Sequence, residues 1–340
     1  MISITIFLLL GLLAMSISVA VSLGLLAGIL AKLYTAVPLE RMIGEMAWQS
    51  LSSESLVAIP FFILLGEILL RSGIAERMYA ALVQWLSWLP GGTMHANIGA
   101  CSLFAASSGS SVATAATIGT VSLPEIEKRG YNERLFLGTL AAGGTLGILI
   151  PPSVALIIYG VLTETSIPRL YLAGMIPGVV LALLFMIFIA AVSLVWKGAG
   201  GHRIETSWHL RNRALPDLVP PLFIFSVVVL TIYAGIATPT EAAAFGVVAA
   251  LGLAFGKGRL SINMLQEAIE GTMRTTAMVV AIILTALLLN FVLTFLGISE
   301  AITDSVVDLN LRPVMFMLVI VAFYLVLGCF MEGFSIVLIT

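Results

Sequence analysis

Long apolar runs, near the length of a membrane span, recur along this chain, at Ile2–Ala31, Leu170–Trp196, Leu218–Ala234, Met278–Leu296 and Val314–Leu327. A helix needs about 20 such residues to cross a hydrocarbon layer roughly 30 Å thick. Within that layer each backbone N–H and C=O must find its partner in protein, and a helix does this inside one segment. The reading is therefore an all-α polytopic membrane protein. Composition agrees, with 60% hydrophobic and 10% charged residues in 340, against about 25% charged in soluble domains. The first run is expected to stay in the chain, since it lacks a basic n-region and is about twice the length of a signal h-region. A net charge of −2 without a basic patch gives nucleic acid nothing to bind. Cys101 and Cys329 lie in apolar sequence, as small packing residues rather than a disulfide framework.

Two motifs recur at one offset. "GIAE" (Gly73–Glu76) returns as "GISE" (Gly297–Glu300), and Gly109 with Ser111 returns as Gly333 with Ser335, each 224 residues later. The shared spacing predicts two structural repeats, over 1–213 and 214–340, the second incomplete. A surface helix (Pro38–Trp48, then Ser261–Thr272) is expected before a spanning helix in each. Ile74–Leu89 has a partner segment carrying Glu300, Asp304 and Asp308, charges that are costly in hydrocarbon. Both segments are therefore expected along the interface, with Trp85 and Trp88 as headgroup anchors. Residues 90–124 are then too few for two spans, because Ser107–Ser111 divides them. They are expected to form a re-entrant hairpin with a serine-rich tip at membrane depth.

Lys197–Arg213 holds four basic residues and is expected to be cytoplasmic. Working outward places the N-terminus inside, with twelve of the sixteen basic residues on the cytoplasmic side. The opposite placement, with Ile74–Leu89 spanning, scores the same, and the acidic partner segment selects the first. The Gly109 hairpin then enters from the cytoplasm and the Gly333 hairpin from outside. Inverted repeats of this kind are a signature of secondary transporters.

Two places admit non-helical backbone at depth: the tip (Ser107, Ser108, Gly109, Ser110, Ser111) and the Pro151–Pro152 pair inside a broken helix over 135–163. Proline frees carbonyls a turn earlier, and Gly143, Gly144 and Gly147 allow close approach. Serine hydroxyls and free carbonyls suit a small hard cation such as Na⁺. The half-helix N-termini after Ser111 and Pro152 are suited to an anion. Tight helix packing and a simple kink are the plain alternatives for the two motifs. Glu332 is the acid nearest the second tip. Glu67 pairs with Arg71 at i,i+4, His95 reads as interfacial, and His202 and His209 read as solvated. "ATPTEAAAFG" (Ala237–Gly246) is a helix-start signature.

The stretch "GGTMHANIGACSLFAASSGSSVATAATIGTVSLPEIEKRGYNERL", with "ILIPPSVALIIYG" and "ATPTEAAAFG", resembles the large membrane (permease) subunit of tripartite ATP-independent periplasmic (TRAP) transporters. The resemblance implies an elevator-type permease of the bacterial inner membrane, with inverted repeats. A sodium gradient would drive uptake of an organic acid (a C4-dicarboxylate, sialic acid or similar carboxylate). A periplasmic solute-binding protein would deliver it, and a small four-helix membrane subunit would buttress the scaffold. By position, the Ser107–Ser111 tip and the break at Thr145, Gly147, Pro151, Pro152 and Ser153 would form one sodium site beside the substrate. Glu332, Gly333 and Ser335 would stand at the partner tip. Seven residues follow Gly333, so the second Pro-Pro helix and second sodium site lie outside this sequence. A C-terminally truncated chain, unable to transport as it stands, is expected. Two other readings are a single-component sodium/carboxylate carrier and an intramembrane serine hydrolase using Ser108 or Ser110 with His95. The thirteen helical residues from His95 to Ser108, about 20 Å, weigh against the hydrolase.

Overall fold

The computed structural model describes residues 2–35, 39–108, 111–196, 198, 200–202, 206–308, 311–329, 333 and 336. Among these, the regular structure is helical throughout. In chain order the helices are α1 (Ile2–Ala14), α2 (Val19–Tyr34), α3 (Leu39–Leu51), α4 (Glu54–Arg71), α5 (Ile74–Leu86), α6 (Thr93–Ser108) and α7 (Ser111–Ser122). There follow α8 (Pro124–Arg129), α9 (Glu133–Leu149), α10 (Val154–Leu162), α11 (Ile167–Val195) and α12 (Trp208–Ala214). The last are α13 (Val219–Tyr233), α14 (Pro239–Gly256), α15 (Ile262–Phe295), α16 (Ile298–Asp308) and α17 (Pro313–Gly328). Three of them, α11, α14 and α15, are long and apolar enough to cross a membrane unaided.

The chain divides into two compact units, Met1–Ser53 with Thr275–Thr340, and Glu54–Arg274. In the smaller unit Leu23, Leu26 and Leu30 of α2 pack with Ile282, Leu289 and Val292 of α15. The apolar run at 2–31 is not one helix. It breaks after Ala14, where Ser16 takes a left-handed φ of 58°, a conformation that ends a right-handed helix. Conversely, the surface helix expected at Ser261–Thr272 is not separate, because α15 runs unbroken for 34 residues. Ser52 and Ser53 stand between α3 and α4, whereas Thr276 and Ala277, at the offset of 224, let the helix continue. The same offset carries the end of α4, Arg71, onto the end of α15, Phe295, and the start of α5 onto the start of α16. Gly73 (φ 72°) and Gly297 (φ 67°) make the turn in both places, in the left-handed region that glycine adopts at little cost. α17 buries none of its described residues.

In the larger unit α4 and α5 meet at 69°, and α5 buries Ile74, Met78, Tyr79 and Leu82. Trp88 is exposed, as a headgroup anchor should be. Trp85 is not, since its Nε1–H donates to the Arg211 carbonyl at 3.1 Å and its ring meets Trp208 edge-on. The Glu67–Arg71 pair forms, and Arg71 also reaches Glu267 of α15 at 3.3 Å. The helix-start signature becomes a capping box: the Glu241 N–H donates to the Thr238 hydroxyl, and the Thr238 N–H donates to the Glu241 carboxylate. α14 packs against α4 and α13 through Ala242, Ala243, Gly246 and Ala250.

α6 lies at the centre, against α4, α5, α9, α11 and α13. Its buried residues include the small Ala96, Ala100, Cys101 and Ala105, which let neighbouring backbones approach. One buried hydrogen-bond chain fixes its rotation. Tyr79 Oη–H donates to Asn97 Oδ1 (3.0 Å), Asn97 Nδ2 donates to Thr139 Oγ1 (2.9 Å), and Thr139 donates to the Phe136 carbonyl (2.7 Å). Asn97→Leu removes two of these bonds and orphans the buried Tyr79 hydroxyl, a loss of about 1–3 kcal/mol. The thermal midpoint of the purified protein in detergent should fall, and Tyr79→Phe added to Asn97→Leu should recover part of the loss. An unchanged midpoint in Asn97→Leu would remove the chain from the forces holding α6.

Candidate functional site

The two arms of the hairpin take opposite directions along α9. On α6, Asn97 meets Thr139, and a methyl group on Gly143 would fall 2.9 Å from the Cys101 Cβ; numbers rise together, so α6 and α9 run parallel. On α7, Gly119 faces Leu140, while a methyl on Gly144 would fall 2.9 Å from the Ala115 Cβ and 3.0 Å from the Ser111 carbonyl oxygen. Here numbers rise against each other, so α7 runs antiparallel. Both registers carry the ends of the arms, Ser108 and Ser111, to the level of Gly147–Pro151. The ends of the two arms and the Pro-Pro break, 40 residues apart in sequence (111 to 151), therefore come to one level along α9.

The break has its own logic. The Ile150 N–H still donates to the Leu146 carbonyl (2.9 Å). The next two partners in the helical pattern would be Pro151 and Pro152, which have no N–H, so the carbonyls of Gly147 and Ile148 have lost their helical donors. The peptide joining the two prolines is cis. α10 restarts at Val154 at 41° to α9. Ser153 occupies its N-cap position without a side-chain capping bond, and its fully buried hydroxyl has no partner among the described residues. α11 crosses behind this stretch on two glycines. A methyl on Gly174 would lie 2.7 Å from the Leu149 carbonyl oxygen, and one on Gly178 would lie 2.8 Å from Ile150 Cγ1.

Of the residues expected at the site, Gly147, Pro151, Pro152 and Ser153 are buried at the break, and Ser111 is half-buried at the start of α7. Ser107 and Ser108 end α6. Gly109, Ser110, Glu332 and Ser335 lie outside the described residues; Gly333 is described as helical, with nothing else of its tip beside it. Thr145 is not turned toward the hairpin. It is exposed and donates to the Ala142 carbonyl (2.7 Å), while Gly143, Gly144 and Gly147 take the buried face. Among the described residues no group of three His, Cys, Asp or Glu side chains could hold a metal. A cavity of about 560 Å³ lined by Thr120, Leu123, Pro124, Ile126, Glu127 and Glu133 lies at the opposite end of α7 from the tip.

Sequence reasoning missed the base of the hairpin. His95, read as interfacial, is buried in protein and donates from Nε2 to the Pro90 carbonyl (2.7 Å). His202 is exposed yet engaged, as its backbone N–H and Nδ1 both meet the Arg129 carbonyl (2.9 and 2.8 Å). Tyr131 accepts the Thr93 N–H (2.8 Å), and its ring passes between Gly92 and Gly201, where a methyl on either would collide with it. Gly174 and Gly178 did carry a signal, the G-x-x-x-G spacing of close helix approach.

The family described as "Tripartite ATP-independent periplasmic transporter, DctM component" matches residues 6–340. The chain is 36% identical over 288 residues to the C4-dicarboxylate TRAP transporter large permease protein DctM of Pseudomonas aeruginosa, covering 84% of this chain and 66% of that protein. It is 34% identical over 352 residues to the DctM of Rhodobacter capsulatus, covering 98% and 78%. It is 32% identical over 335 residues to the isethionate TRAP transporter permease protein DctMQ of Oleidesulfovibrio alaskensis, covering 96% and 51%. The chain thus spans between about half and four-fifths of the length of these relatives.

The glycine contacts can be tested without a transport assay. Gly144→Ala and Gly174→Ala each put a methyl against a backbone carbonyl that cannot swing aside, and each is expected to cost about 1–3 kcal/mol. Gly138→Ala, on the open face of α9 with nothing within 4 Å, should be neutral or slightly stabilising through helix propensity. Thermal midpoints of the three variants should separate in that order; equal midpoints would deny the close contacts.

Proposed function

This chain belongs to the DctM component family of the tripartite ATP-independent periplasmic transporters, and we propose that its hairpin and Pro-Pro break form a sodium site coupled to organic-acid uptake. The family consists of transporter permeases, and the chain is accordingly read as part of a multi-pass membrane protein. What supports the sodium reading is the register that brings the arm ends, Ser108 and Ser111, to the level of the Gly147 and Ile148 carbonyls, which lack their helical donors. Hydroxyl and carbonyl oxygens are hard neutral ligands, suited to a small monovalent cation. A bound Na⁺ there would stand beside the first turns of α7 and α10, whose positive ends favour a carboxylate. Cation and anion would then stabilise each other's binding, which is the physical content of coupling.

On this reading the substrate is an organic acid, a C4-dicarboxylate, sialic acid or similar carboxylate, delivered by a periplasmic solute-binding protein. A small four-helix membrane subunit supports the scaffold in the bacterial inner membrane. The two repeats are inverted, and the hairpin-bearing part moves as an elevator. The test is uptake into proteoliposomes by the complete permease with its small subunit and binding protein. Ser110→Ala and Ser111→Ala should raise the sodium concentration needed for half-maximal uptake several-fold, roughly the loss of one ligand hydroxyl. Unchanged sodium dependence in both would sink the assignment of the tip. Uptake that persists without the binding protein would favour a single-component carrier.

A further inference from the structure

The short helix α12 is held in one orientation. Arg211 donates from Nε to the Gln84 carbonyl (3.3 Å) and from Nη2 to the Thr206 hydroxyl (3.0 Å), and its guanidinium lies 5.2 Å from the centre of the Trp208 ring. With the Trp85 contacts described above, these bonds fasten α12 to the end of α5. Trp208, His209, Asn212 and Arg213 are left exposed. Trp88, just past the end of α5, is exposed as well.

The next two helices say what surrounds this segment. The turn Leu215–Asp217 leads from α12 into α13 at a bend of 46°. Asp217 meets Lys257, the residue after α14, at 3.9 Å, so the start of α13 and the end of α14 are level. Along both helices the exposed side chains are apolar: Val219, Leu222 and Phe223 on α13, Val248 and Phe255 on α14. Beyond their ends stand Arg211, Arg213, Lys257 and Arg259, with Asp217 the one carboxylate among residues 206–217 and 257–259. Lys257 already takes that carboxylate, and neither Arg213 nor Arg259, both exposed, has an ion pair among the described residues. In a protein that crosses a bilayer, exposed hydrocarbon that gives way to charge marks the headgroup layer, where indoles also collect. The anion that stands at that depth is the lipid phosphate, and a surplus of basic side chains attracts it.

We propose that α12 and the end of α14 form a binding surface for the headgroup of an anionic phospholipid. Arg213 and Arg259 meet the phosphate, and Trp208, held in place by Arg211, sits beside it at the top of the acyl chains. The inference does not rest on the sodium reading. Because α12 also holds the end of α5, a bound lipid would fasten the segment that leads into the base of the hairpin.

The test uses the complete permease in nanodiscs and lipids with brominated acyl chains, which quench nearby indoles. The difference between wild type and Trp208→Phe isolates the signal beside Trp208. Brominated phosphatidylglycerol should be preferred there over brominated phosphatidylcholine on the order of tenfold, as about two basic residues imply. Arg213→Gln and Arg259→Gln should each lower that preference about three- to fivefold, and salt near ~0.5 M should shrink it. Arg169→Gln, at the opposite end of α11 from Trp196, should leave it unchanged. Thermal midpoints in pure phosphatidylcholine should match wild type, which separates a lost preference from a lost fold. Equal quenching by the two lipids in the wild type overturns the inference, and so does a preference that survives the double substitution. A loss in Arg169→Gln as large as in Arg213→Gln would reduce the effect to overall charge and overturn the site. Release of the lipid by soluble glycerol phosphate would assign the arginines to a free phosphate and overturn it too. None of these outcomes bears on sodium dependence of uptake, so the two readings fail separately.

Discussion

A carbonyl that loses its helical donor inside a bilayer has no water to turn to, and the arrangement around Pro151 and Pro152 follows from that. Two consecutive residues without an N–H deprive the Gly147 and Ile148 carbonyls of their helical donors at the end of α9. Such a break is tolerable only where protein surrounds it and something uses the oxygens. The structure supplies the surroundings: α11 closes over Leu149 and Ile150 on Gly174 and Gly178, and the hairpin ends at the same level. Each of these neighbours depends on the absence of a side chain, because a methyl group at Gly144 or Gly174 would strike backbone.

The hairpin is held from two sides by different forces. Along its length the contacts are those of small residues, Ala, Gly and Cys, which give close approach but little directional preference. Direction comes from the Tyr79–Asn97–Thr139 chain, which has one geometry and is costly to break in a dry interior. At the base, Tyr131, His95 and His202 tie the N-terminal end of α6 and the C-terminal end of α8 to main-chain carbonyls and amides. The base is thus stapled by hydrogen bonds.

Much of this was legible in the residues. Hydrophobic length marked the long helices, the serines marked the hairpin's division, and Thr238 with Glu241 and Glu67 with Arg71 announced local pairs that formed as expected. Those features depend on neighbours within one or two turns. The errors were of another kind. A 30-residue apolar run at 2–31 says nothing of a turn at Ser16, because hydropathy does not register the backbone angle at which a chain reverses. Nor does it register the continuity of α15, which a pair of polar residues breaks in one half and not in the other. Nor does composition show that Trp85 meets the Arg211 carbonyl or that His95 is buried against Pro90, since those partners come from the fold.

By itself the sequence determined the class of solvent, the helices long enough for it, and the two points where a helix could not continue, since these follow from hydrophobic length and from the missing N–H of proline. Only the tertiary structure decided that the ends of the hairpin arms and the Pro-Pro break come to one level along α9, that Thr145 turns away while Ser153 stays buried at the break, and that α11 closes over it on Gly174 and Gly178. The reason is physical. Register between helices is set by side chains fitting across a contact, at Gly144 against Ser111 or Gly174 against Leu149, and such a fit belongs to pairs of residues that no single stretch of sequence contains.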